Sequence, residues 1–105
     1  GDRQSKPECD AMLLASLRRH EAGMRRCLAR PDSIPAKSYV AFVSLTYNIG
    51  VGAFCRSTAA RRLNAGDLEG ACDAATWFKK AGGRTLRGLV NRRKAEHRLC
   101  LEGSR

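Results

Sequence analysis

Apolar and small residues recur along this chain at helical rather than strand intervals. Cys9, Leu13, Leu17, His20, Met24 and Cys27 fall three or four residues apart, the spacing that puts side chains on one face of a helix. Arg18, Arg19, Arg25 and Arg26 lie largely off that face. Ser5-Lys6-Pro7-Glu8 reads as its start: a capping serine, an acidic residue three positions on, and a proline in the first turn, where no backbone N–H is needed. Pro31 stops it. Asp32-Ser33-Ile34-Pro35 opens a second helix in the same way. Its body from Tyr39 to Tyr47 is nearly all apolar or small, which predicts the buried central helix. Gly50 and Gly52 end it and permit a tight turn.

Ser57 or Thr58 then caps a short basic helix through Leu63, closed by Asn64-Ala65-Gly66. Asp67 caps another, from Leu68 to about Lys80, that carries Ala71, Cys72, Ala75 and Trp77. After Gly82-Gly83 a last helix runs from about Thr85 to Leu101. Leu86, Leu89, Val90, Leu99 and Cys100 make its apolar side, with Arg92, Arg93, Lys94 and Arg98 exposed. No segment reads convincingly as a strand, and there is no internal repeat or linker. The predicted fold is all-α: a compact bundle of about five helices in a single domain, residues 1–105.

Composition narrows the class. A chain of 105 residues that is 43% hydrophobic suits one soluble domain. Charges break every apolar run well short of the roughly 18 residues a membrane span requires. The polar opening Gly1-Asp2-Arg3-Gln4-Ser5-Lys6 does not read as a signal peptide. Five cysteines without a C-x-x-C pair argue against zinc. They are compatible with five buried small hydrophobes, or with at most two disulfides and a leftover thiol. The net charge is +10, and 15 of the 20 basic residues are arginine. Such a surface attracts a polyanion: nucleic acid, an anionic membrane or an acidic wall polymer. Charge alone does not choose among them.

Several chemistries fail on inspection. Neither glycine pair is followed by the Lys-Ser or Lys-Thr of a phosphate loop. His20 and His97 stand alone and read as packed or surface histidines rather than metal ligands, and no cofactor is expected. Cys27 with His20, or Cys100 with His97, has roughly helical spacing but nothing to lower the thiol pKa. A helix-turn-helix reading of residues 57–80 places Leu68-Glu69-Gly70-Ala71 where base-reading polar side chains belong, so nucleic acid is disfavoured. The segment that stands out is Ser44-Leu45-Thr46-Tyr47-Asn48-Ile49-Gly50, running into Gly52-Ala53-Phe54-Cys55-Arg56-Ser57-Thr58. An aromatic, an amide and two hydroxyls beside a glycine turn suit a sugar face and its hydroxyl and N-acetyl groups. Helix-end capping around a buried tyrosine accounts for the same residues equally well.

At these residues the chain resembles the phage-type lysozymes, or endolysins, of the T4 and P22 kind. The resemblance runs from Ser5-Lys6-Pro7-Glu8-Cys9 through Phe42 to Gly50. It continues through Ala53 to Thr58, Arg62 to Asp67, Lys80 to Gly83 and Gly88 to Arg93. It implies the helical lobe of a muramidase that cleaves peptidoglycan glycan strands and lyses a host cell, encoded by a phage or prophage and acting in the periplasm. Tyr47 and Asn48 match the aromatic and amide positions of the family's groove, with Ser57 and Thr58 on the adjoining turn. Arg84 resembles the arginine that pairs with the catalytic Glu in T4-type members. Cysteines of relatives imply the pairings Cys27–Cys55 and Cys72–Cys100, leaving Cys9 over.

The family's catalytic set is a Glu, an Asp or Cys nine residues later, and a Thr six beyond that. Here Glu8 leads to Leu17, Glu21 to Arg30 and Glu69 to Phe78, so no catalytic residue is assigned. Glycoside hydrolysis generally needs a carboxylic acid at the leaving oxygen and a second group to handle water or the anomeric carbon. The expectation is a substrate-groove lobe without the N-terminal catalytic segment, completed by a separate fragment or inactive alone. The alternatives are a lysozyme-derived wall-binding module and a basic helical nucleic-acid binder.

Overall fold

The computed structural model describes the backbone of residues 6–78, 80–81, 84–85 and 87–104, and the side chains of 14–78, 88 and 90–104. Within that span are α1 (Lys6–Arg26), a single 3-10 turn (Pro31–Ser33), α2 (Ala36–Ile49) and α3 (Val51–Cys55). They are followed by α4 (Thr58–Asn64), α5 (Leu68–Ala75), β1 (Lys80–Ala81), β2 (Arg84–Thr85) and α6 (Arg87–Ser104). The class is all-α, as expected. The two short strands form one antiparallel ladder, Lys80 opposite Thr85 and Ala81 opposite Arg84.

Three differences from the sequence reading have local causes. Gly50 does not end helical structure; it joins two helices. At φ +93° its N–H bonds Thr46 O at 2.8 Å, closing α2, while its own carbonyl accepts from Phe54 N at 3.0 Å, opening α3. Asp32 and Ser33 fall in the 3-10 turn, and α2 begins only after Pro35, whose carbonyl accepts from Tyr39 N at 2.8 Å. Helix α5 stops at Ala75, and Trp77 beyond it is 59% exposed. The caps at the other breaks are as read. Ser57 Oγ accepts from Ala60 N, and Asp67 Oδ1 accepts from Gly70 N at 2.9 Å. The Ser5 cap lies outside the described residues.

Helix α2 is the hub, packed against α1, α3 and α6. Ser38, Ala41, Phe42, Leu45 and Thr46 are buried. Its buried hydroxyls are satisfied: Ser38 Oγ donates to Cys100 O at 2.7 Å and Thr46 Oγ1 to Phe42 O at 2.8 Å, as groups removed from water require. Phe42, Leu45, Met24 and Phe54 form the bulky core, and Ala59, Ala60, Ala71 and Ala74 let α4 and α5 approach closely. Helix α6 comes closer still to α2. A Cβ on Gly103 would stand 2.6 Å from Ser38 N.

Two disulfides tie these layers. Cys27, just beyond α1, bonds Cys55 at the end of α3, and Cys72 in α5 bonds Cys100 in α6. Each joins Cα atoms 5.8 Å apart across a sequence separation of 28. These are the pairings the family resemblance implied. The Cys9 side chain lies outside the described residues.

Candidate functional site

The last turn of α2 presents Tyr47 and Asn48. Val40 and Tyr47 are seven residues apart on one side of this helix, and both are exposed. That face is turned from the core by the same 3.6-residue period that buries Phe42, Leu45 and Thr46. Helix α1 runs alongside. Gly23 lies so close to Val51 that a Cβ would meet Val51 Cγ2 at 2.7 Å, and the Cys27–Cys55 bond fixes the next turn. This seats His20 against Tyr47, ring centroids 5.1 Å apart and planes at 65°, an edge-on aromatic geometry. The His20 ring is held from behind by Nδ1, 2.7 Å from Ser16 O.

Asn48 is oriented at both ends of its amide. Nδ2 donates to Ser44 O at 2.8 Å, and Oδ1 accepts from an Arg92 Nη1 of α6. Beneath this pair sits a second polar layer. Ser44 Oγ donates to Glu96 Oε2, which also accepts from Arg93 Nη2 at 2.7 Å. Arg93 is 1% and Glu96 7% exposed. The sequence reading placed Arg93 with the exposed arginines; instead the α6 face toward α2 carries it inward, where Glu96 three residues on neutralises it. Burial pushes the Glu96 carboxyl above its ordinary value, against the opposing pull of Ser44 and the two arginines. Among the described residues, Arg93 Nε and Nη1 and Glu96 Oε1 have no hydrogen-bond partner.

The other expected site residues stand apart from this cluster's contacts. Ser57 is buried, its hydroxyl donating to Phe54 O at 2.6 Å while capping α4. Thr58 Oγ1 accepts from Arg61 Nη2 at 3.0 Å. The Arg84 side chain lies outside the described residues. His20, Arg92 and Glu96 were not singled out from sequence for this site. Spacing could have found Glu96, three residues after Arg93; His20 and Arg92 carry no such signal.

A separate cleft of about 380 Å³ opens where α1 meets the start of α2, lined by Glu21, Arg25, Asp32, Tyr39 and Val40 among others. Tyr39 donates its hydroxyl proton to Glu21 and accepts from Arg25 Nη1 at 3.0 Å, and Arg25 Nη2 reaches Asp32 Oδ1 at 2.6 Å. Burial first, then the Glu21 carboxylate, holds the Tyr39 phenol above its ordinary value. Every charge in this cleft is already partnered.

What the arrangement offers chemically is an exposed aromatic ring, an imidazole and an oriented amide. Among the described residues no three His, Cys, Asp or Glu side chains are grouped to hold a metal. Glu96 has the raised pKa a general acid needs, but Arg93 and Ser44 enclose it away from any substrate. Arg62 is occupied internally: it donates to Gly70 O at 2.9 Å and lies 5.4 Å from the Trp77 ring centroid. No helix among the described residues is long and apolar enough to cross a membrane.

Comparison with known proteins gives the class: the family described as phage lysozyme matches residues 1–96. The chain is 38% identical over 106 residues to the SAR-endolysin of Enterobacteria phage P21, covering 98% of this chain and 61% of that relative. The endolysin from Escherichia coli O157:H7 phage FAHEc1 superposes with a TM-score of 0.85 at 31% identity, over 97% of this chain and 66% of that one. The active form of the P1 phage endolysin shares the fold, with a TM-score of 0.87 over 100% of this chain and 65% of that one, at 22% identity. The chain belongs to the phage lysozyme family. It spans about three-fifths of the length of the P21 relative it matches.

Proposed function

We propose that this chain forms the helical wall of a peptidoglycan-binding groove in a phage-type muramidase that acts in the host periplasm. The observation that carries the reading is the Tyr47–Asn48 pair, an exposed ring beside an amide held at both ends. An apolar ring face with a fixed polar group beside it is what a pyranose with N-acetyl substituents requires. The family resemblance places Thr58 and Arg84 at the margin of the same groove, while the buried Ser57 hydroxyl serves the α4 cap. The +10 charge draws the domain to the anionic envelope. No Glu in the 105 residues has the family's catalytic followers. Hydrolysis therefore requires carboxyl groups from the part of the family fold outside the matched span, in a longer chain or on a separate fragment.

Two assays on the 105-residue chain test this. It should not clear chloroform-treated Gram-negative cells; clearing by the chain alone would overturn the assignment of no catalytic residue. It should sediment with purified peptidoglycan, and Tyr47→Ala should weaken that binding about tenfold, a loss in the range found when aromatic contacts are truncated. A steeply salt-dependent preference for DNA over peptidoglycan would instead favour the nucleic-acid reading.

A further inference from the structure

We infer that His20 is a ligand-contacting residue of the Tyr47 groove, its Nε2 accepting a hydrogen bond from the acetamido N–H of a bound sugar. This rests on the groove reading above and names what the groove selects. The argument begins with a proton. A carbonyl oxygen only accepts hydrogen bonds, so the contact between His20 Nδ1 and Ser16 O puts a proton on Nδ1. In the neutral ring Nε2 is then left as a bare acceptor. The ring carrying it is half-exposed and stands edge-on to Tyr47.

Next to Tyr47 in the last turn of α2, the Asn48 amide is assigned by its partners. Its oxygen takes Arg92 and one N–H goes to Ser44 O, which leaves the second N–H as a donor. The end of α2 and the facing turn of α1 thus offer one donor from Asn48, one acceptor from His20 and the Tyr47 ring that His20 touches. An acetamido group presents the complement: a carbonyl for the donor, an N–H for the acceptor and a methyl for the ring. A sugar bearing a hydroxyl in that place satisfies only part of the set. Among the described residues no hydrogen bond engages His20 Nε2 or the second Asn48 N–H, whereas the Ser57 hydroxyl and Arg62 are consumed internally.

The test compares triacetylchitotriose with cellotriose, titrated by NMR against the full oxidised chain and two variants. His20→Phe keeps a ring against Tyr47 but removes the acceptor. His20→Gln restores an acceptor at similar reach, and far-UV CD checks that both fold. The wild-type chain should prefer the acetylated sugar. His20→Phe should lose about five- to tenfold in affinity for it with cellotriose unchanged, the size of one neutral hydrogen bond, and His20→Gln should recover most of the loss. Equal binding by His20→Phe and wild type would remove His20 from the site while leaving the glycan reading intact. An equal loss on both sugars would make His20 structural and overturn the inference. If wild type bound neither sugar, the inference and the groove reading would fall together.

Discussion

Opening one disulfide at a time turns the two cross-links into a matched experiment, because both close the same length of chain. For a separation of 28 residues, loss of loop-closure entropy in the unfolded ensemble stabilises the fold by about 3.6 kcal/mol per bridge at 25 °C. The loops 27–55 and 72–100 do not overlap, so the entropic terms should be nearly equal and independent. What differs is the folded side. Cys72 and Cys100 are 0% and 2% exposed, whereas Cys27 and Cys55 are only partly buried. The pair Cys72→Ala and Cys100→Ala therefore adds a packing loss, about 1 kcal/mol for buried atoms of this size. We expect thermal unfolding, followed by far-UV CD at fixed pH, to show a Tm lowered by roughly 15–25 °C for the 27/55 double variant. The 72/100 double variant should fall several degrees further. Urea titrations should give the same order. If removing the 27/55 bridge costs as much as removing the 72/100 bridge or more, burial does not separate them and the reasoning fails. A loss below about 2 kcal/mol in both would reject the loop-entropy argument itself.

Two further outcomes follow from buried contacts. Because the Glu96 carboxyl is raised above 4.5 in the folded state by burial, the native protein binds more proton than the unfolded chain between that value and the folded one. Stability contributed by this group is complete below about pH 4.5 and is lost as pH rises through the folded value; Glu96→Gln should flatten that fall in Tm, and an unchanged slope refutes it. Gly103→Ala should push α6 off Ser38 and cost about 1–3 kcal/mol, read by urea unfolding; a neutral result would mean the two helices separate freely there.

The helices were legible where one physical signal acts alone. The apolar body of α2, the Ser57 and Asp67 caps and the break near Pro31 all follow from residues within a turn of one another. Helix α3 was not, because two glycines flank its first turn and only the φ of Gly50 shows that one helix hands over to another. Val40, in the helix read as buried, is exposed, since an apolar run does not say which side neighbouring helices cover. Arg93 shows the reverse: a charge in a basic stretch, buried because Glu96 and Ser44 meet it from two helices. Tyr47 and Asn48 could be picked out locally. Their partners could not, since His20 and Arg92 reach them across separations set by how α1 and α6 cross α2. The disulfide pairing was legible only through the family resemblance, because spacing alone leaves all five cysteines equivalent.

Gly50 gives that crossing a mechanical character. Helices α2 and α3 meet at a single residue with no loop between them, so one backbone angle decides how the Tyr47 turn faces the Gly23–Val51 contact. Space is not the constraint there, since nothing stands within 4 Å of where a Cβ would be; the backbone is, because φ +93° with ψ 151° lies in a region close to glycine-only and costs an L side chain about 1–3 kcal/mol. Both arms of the joint are anchored, α2 through Ser38 to the Cys100 carbonyl and α3 through Cys55 to Cys27. A bend held at both ends behaves as a bracket rather than a hinge. It follows that the distance between Tyr47 and the ring that faces it is a property of the folded backbone, set before any ligand arrives.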